Sequence, residues 1–206
     1  MKFRHMMFTI GLALLAVSLT IPPASAEGPL ALGSKPPMAD VKMKNVDGLE
    51  VSIKDVMGSK GTLVIFTCNA CPWAKKWEGR IAEMGNMFLK LGIGTVAINS
   101  NDPAKNAEDG YDEMVQRAKD QGLKYPYVVD ATSAVARAFG ATRTPEIFIF
   151  DAAGQLVYHG APDNNADQPD GVTAQYLRDA LESVVLGKAV VVKETKALGC
   201  SIKFRS

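Results

Sequence analysis

Leu63-Val64-Ile65-Phe66-Thr67-Cys68-Asn69-Ala70-Cys71-Pro72 is the stretch on which the fold turns. Its first four residues form a short unbroken apolar run, the pattern of a strand covered on both faces. Beyond Pro72 the apolar residues Trp73, Trp77, Ile81, Met84, Phe88 and Leu91 recur at spacings of three and four, the stripe of an amphipathic helix. Proline suits the first helical position and disfavours helical geometry in the residue before it, so the helix is expected to open at Pro72 with Cys71 at its cap. Gly92 ends the stripe, and Ile93 to Ile98 supplies the next buried strand. Strand, helix and strand in that order predict a parallel pairing.

The two cysteines of this C-x-x-C are expected at the junction of strand and helix. Residues three apart share a helical face, so the sulfurs come within the separation a disulfide tolerates. Unsatisfied N–H groups and the positive end of the helix dipole favour a thiolate at such a junction. Lys75 and Lys76 either add to that attraction or are solvated surface lysines. A C-x-x-C is also half of a zinc site, but a second C-x-x-C or a histidine pair is missing, and only Cys200 and His159 remain as further ligands. A purely structural role is disfavoured because so short a loop gains little from closure. No metal or cofactor is expected, and thiol-disulfide exchange is the leading chemistry.

Working outward, Glu27 to Ala39 is proline-broken and reads as an extended lead-in, followed by a hairpin of Val41–Lys44 and Val51–Ile53 around Asn45-Val46-Asp47-Gly48. After a polar loop from Asn99 to Asp109 come a helix over Tyr111–Gln121 and a third short strand, Tyr127–Val129. Ser133 is placed to cap a helix through Phe139 that closes at Gly140, and Thr173 to cap a last helix reaching about Leu186. Between these two helices, Ile147–Phe150 and Gln155–Tyr158 form an antiparallel hairpin. The tail from about 188 ends with Cys200 near Ile202 and Phe204, which predicts that it packs back on the domain. Alternating strands and helices followed by a hairpin and a helix make an α/β class fold, a three-layer sandwich.

Residues 1–26 have the pattern of a signal peptide. Lys2 and Arg4 precede an apolar run from Met6 to Ile21, and Ala24-Ser25-Ala26 forms a cleavage site. The run is shorter than the roughly 20 apolar residues of a membrane span. A periplasmic or secreted domain of residues 27–206 is expected, with no stable membrane insertion after cleavage. Its net charge would be −1, too near neutral for the clustered Lys and Arg that nucleic-acid binding requires. His159 would be its only histidine. The compartment permits disulfides, and three cysteines amount to one pair and one further thiol. That thiol, Cys200, is read as a buried inert cysteine, a third exchanging thiol or an intermolecular bridge.

Taken with Phe139-Gly140-Ala141-Thr142-Arg143-Thr144-Pro145 leading into the strand Glu146 to Phe150, the C-x-x-C resembles the thioredoxin superfamily. The N-terminal hairpin and the inserted helix-strand unit Tyr111 to Val129 resemble its TlpA-like and AhpC-TSA redoxin branch. The resemblance implies a thioredoxin-like α/β/α sandwich, a cis Pro145 lying against the cysteines, and a Thr144 whose backbone contacts substrate. It also implies attack by Cys68, resolution by Cys71, protein thiols and disulfides as substrates, and a membrane electron donor for any reductive cycle.

Thioredoxins carry an acid on the strand before the first cysteine, whereas Gly61 to Thr67 contains none. Glu146 is the nearest replacement as proton acceptor, unless it is a surface strand residue. A peroxidase of this superfamily would show a threonine three residues before its cysteine in P-x-x-x-T-x-x-C. Cys68 stands three before Cys71 and Ile65 three before Cys68, so neither register supplies the hydroxyl. Thiol peroxidase and copper or zinc delivery are the alternatives to exchange.

Overall fold

The computed structural model describes Met1 and residues 28–205, so the expected signal peptide lies outside the described residues, apart from Met1. The apolar run becomes strand β3 (Gly61–Phe66), and the two strands beside it are β4 (Ile93–Asn99), parallel, and β7 (Glu146–Asp151), antiparallel. Every residue of β3 and β4 is buried. The alternation of a strand sends Leu63 and Ile65 into one core with Trp77, Ile81 and Phe88, and sends Val64 and Phe66 into the other with Val135, Phe139 and Phe148.

The seven strands run in the order β2-β1-β5-β4-β3-β7-β8. The N-terminal hairpin is β1 (Met43–Asn45) with β2 (Glu50–Val51), β1 pairing in turn with β5 (Tyr127–Val129). The opposite edge is β8 (Leu156–Gly160), antiparallel to β7. Helices α1 (Pro72–Leu89), α2 (Tyr111–Asp120) and α4 (Tyr176–Val185) contribute to one core, and α3 (Ala134–Phe139) to the other. Helices therefore lie on both faces of a mixed sheet, as the alternating pattern implies. A separate two-stranded ribbon joins β6 (Arg143–Thr144) to β9 (Cys200–Ser201) in the tail.

Several local expectations shift. Ile53 leaves the hairpin for a 3-10 turn and is fully buried, so burial of one side chain outweighs strand extension there. Leu91 lies beyond the end of α1 and is exposed, while Trp73, on its first turn, is only half-buried. Gly140 closes α3 in the left-handed conformation, with φ 63°. Ser133 occupies the cap position but itself has φ 55° and makes no capping bond. Its hydroxyl donates to the Ser100 carbonyl at 2.7 Å and accepts from Arg205 N–H at 2.8 Å, while Asp130 receives the Ala136 N–H at 3.0 Å. Thr173 is likewise no cap: α4 starts at Tyr176, and the Thr173 hydroxyl accepts from Asn164 at 2.7 Å.

Candidate active site

β3 ends at Phe66 and α1 begins at Pro72, so the chain between them must turn at the rim of the sheet. Cys71 is the cap of α1, with extended backbone, and its sulfur accepts from Ala74 N–H at 3.5 Å. Cys68 is 5% exposed and Cys71 3%. Both meet Thr144: the Cys68 sulfur lies 3.2 Å from its hydroxyl, and the Cys71 thiol donates to its carbonyl at 3.0 Å. The Thr144-Pro145 peptide is cis. Cys68 and Cys71 thus converge with Thr144, the residue before Pro145, although the two segments are far apart in the chain.

The Cys68 half of the turn is pinned by an acid. Asp109, 1% exposed, accepts from Asn69 N–H at 2.8 Å and Ala70 N–H at 3.1 Å through one oxygen, and from the Asn101 amide at 2.8 Å through the other. Asn69 is buried as well, donating to the Glu108 carbonyl at 2.8 Å and accepting from Tyr127 hydroxyl at 3.0 Å. Nothing in the sequence around Asp109 marks it for this place. It stands in a polar loop about forty residues away, and only the parallel pairing of β3 with β4 returns that loop to the cysteines.

The two thiols are therefore unlike. As a thiolate, Cys71 receives hydrogen bonds from Cys68, from Cys200 and from Ala74 N–H, set against one facing carbonyl and the cost of burial, and its pKa falls from 9.0 to about 4. Cys68 is pushed up by its bond to Cys71, by burial and by the Asp109 charge. The cap geometry thus favours thiolate at Cys71. Lys75 and Lys76 do not assist: Lys75 pairs with Glu108 at 2.7 Å and Lys76 with Asp167, both on the surface.

Glu146 is not a surface residue, being 2% exposed. One carboxylate oxygen accepts from Thr142 and Arg143 N–H, each at 2.8 Å, and the other meets His159 Nε2 at 2.6 Å. These bonds commit it to the loop that presents Thr144, and among the described residues no hydrogen bond joins it to a sulfur. His159, held on Glu146, is no ligand partner for the cysteines, and no group of three or more His, Cys, Asp or Glu among the described residues is arranged for a metal ion.

Cys200 is neither fully buried nor remote. It is half-buried, packs against the cluster of Cys68, Cys71 and Ala74, and pairs with Thr144 across the β6–β9 ribbon. A cavity of about 150 Å³ opens onto all three cysteines, with Asp109, Lys105 and Lys203 on its wall. A larger cavity, about 870 Å³, lies at the opposite end of β3 near Ser59, Asp151 and Leu186, away from these groups. Among the described residues no helix is long and apolar enough to cross a membrane.

The chain is similar to several known proteins. Thiol-disulfide oxidoreductase ResA of Geobacillus thermodenitrificans (strain NG80-2) is 27% identical over 127 residues, 62% of this chain and 67% of that protein. The ResA of Halalkalibacterium halodurans is 23% identical over 116 residues, 56% of this chain and 61% of its own length, so the chain spans about two thirds of these relatives. Among solved structures, an uncharacterised conserved protein from Geobacillus kaustophilus superposes with a TM-score of 0.79 at 34% identity, covering 85% of this chain and 93% of that one. A thioredoxin-like protein solved in its oxidised form shares the fold, with a TM-score of 0.58 at 20% identity over 75% of this chain and 97% of that one. The profile of the AhpC/TSA family matches residues 35–159, which run from the lead-in through both cysteines and Pro145 to His159, and the chain accordingly belongs to that family as a redoxin-type thioredoxin-like protein.

Proposed function

We propose that this protein is a thiol-disulfide oxidoreductase acting on protein thiols and disulfides outside the cytoplasm. The observation that carries the reading is the pair of buried cysteines at the mouth of α1, both bonded to Thr144 beside a cis proline. The names of the ResA relatives support it.

In this reading the Cys71 thiolate attacks one sulfur of a substrate disulfide and the other substrate sulfur leaves as thiolate. Cys68 then attacks Cys71, releasing the substrate thiol and leaving Cys68 and Cys71 joined. The low Cys71 pKa supplies the nucleophile at neutral pH, and the raised Cys68 pKa keeps the resolving thiol protonated until the mixed disulfide has removed the Cys71 charge. Glu146 acts as a positioning residue, holding the Thr142–Pro145 loop against the cysteines. Thr144 and Pro145 form the wall at which substrate meets the pair. A reductive cycle draws its electrons from a dithiol donor in the membrane, and the signal-like residues 1–26 support the extracytoplasmic placement.

The test is a redox titration of the Cys68 and Cys71 couple by thiol trapping in glutathione buffers. A reversible two-electron transition is expected, and its absence overturns the reading.

A further inference from the structure

The tail from 188 onward ends on the redox centre, and the chain uses many bonds to hold it there. Upstream of Cys200, His159 N–H donates to the Lys193 carbonyl at 2.9 Å, Thr195 N–H returns to the His159 carbonyl at 3.0 Å, and the Thr195 hydroxyl accepts from Ala161 N–H at 2.9 Å. Downstream, Ile202 is buried and donates to the Thr142 carbonyl at 2.9 Å, and Lys203 N–H donates to Asn101 at 2.8 Å. Asp102 N–H reaches the Lys203 carbonyl at 2.7 Å, and Arg205 N–H reaches Ser133. These bonds use the polar groups of Asn101 and Ser133, which neither the sheet nor α3 needs for its own ladder.

Between the anchors the tail lies against Thr144. A Cβ on Gly199 would stand 2.2 Å from the Thr144 carbonyl oxygen, so only glycine permits this approach. The next residue, Cys200, is the cross-strand partner of Thr144, and partners across an antiparallel ladder are about 5 Å apart. Thr144 in turn accepts the Cys71 thiol on its carbonyl and touches Cys68 through its hydroxyl. Thr144 therefore meets two of the sulfurs and is the ladder partner of the third cysteine, and Cys200 packs directly on the cysteine cluster.

We propose that Cys200 is a third exchanging thiol, placed by the β6–β9 ribbon to resolve a disulfide formed on Cys71. The proposal rests on the exchange reading above. The Cys200 thiolate attacks the Cys71 sulfur of a mixed disulfide, a Cys71–Cys200 bond forms, and the substrate sulfur leaves as thiolate and takes a proton. The same attack on a Cys68–Cys71 disulfide frees Cys68 and moves the bond to Cys71–Cys200 without net oxidation, so the oxidising equivalent passes to the tail.

Purified protein carrying Cys68→Ser is treated with oxidised glutathione and followed by intact mass and non-reducing peptide mapping. Cys71 attacks the glutathione disulfide, one glutathione leaves and the other stays on Cys71. The expected result is that this adduct is then released as a peptide linked Cys71 to Cys200 appears. Adding Cys200→Ser should slow the release at least about tenfold, since the internal thiol acts at a high effective concentration. Equal persistence of the adduct in both variants overturns the relay. Redox titration of Cys200→Ser alone separates the two ideas: an intact Cys68–Cys71 transition beside a persistent adduct removes the relay and keeps the exchange reading. Absence of both the transition and the Cys71 adduct removes both.

Discussion

The Cys68 half of the active-site turn and the Cys71 half are built from the same four residues of chain but are held by opposite kinds of charge. Asp109 lies under Asn69 and Ala70 on the Cys68 side, whereas the Cys71 side faces a helix N-terminus and two thiol donors. Two thiols three residues apart thereby diverge, one driven up and one down. The asymmetry in this turn lies in what packs on each half, since the two residues between the cysteines, Asn69 and Ala70, carry no charge.

A large effect should come from removing the pin on the Cys68 side. Asp109→Ala leaves Asn69 N–H, Ala70 N–H and the Asn101 amide without their buried acceptor, and should cost about 3 kcal/mol in denaturant unfolding of the reduced protein. A loss below about 1 kcal/mol would show that the turn is held by other contacts, and the comparison would lose one side.

The Cys71 side is read directly by the pH dependence of thiolate absorbance. In reduced protein the first thiolate should appear with a midpoint near pH 4 and be lost in Cys71→Ser. Because the folded pKa lies below the unfolded value of 9.0, this group contributes stability that is fully present above pH 9 and declines as pH falls toward 4. Relative to Cys71→Ser, the reduced protein should therefore lose stability steadily across that window. A first thiolate that persists in Cys71→Ser and disappears in Cys68→Ser would reverse the comparison.

The smallest effect is expected at the surface. Lys75→Gln removes an exposed, solvent-screened ion pair with Glu108 and should leave the Cys71 midpoint where it is. A midpoint raised by about one unit would bring Lys75 back into the electrostatics of the thiolate.

The buried strand β3, the helix opening at Pro72 and the cap at Cys71 were legible in the sequence from local signals: an apolar run, a three-and-four stripe and the conformational limits of proline. The convergence of Thr144 and Pro145 on the cysteines was legible only through the resemblance to the thioredoxin superfamily. Ser133 and Thr173 had the residue type of caps and became something else, because a hydroxyl bonds whatever donor or acceptor the fold brings to it. Lys75 and Lys76 had the charge to favour a thiolate and found nearer carboxylates.

What the amino-acid order determined by itself is the pair of thiols at a strand-to-helix junction, since strand burial and helix initiation are decided within a few residues. Only the tertiary structure decided which acid lies beneath the turn and where the third sulfur goes. Asp109 is about forty residues from Cys68 in the chain and Cys200 more than a hundred. Their arrival depends on the pairing of β3 with β4 and of β6 with β9, long-range contacts that no local spacing encodes.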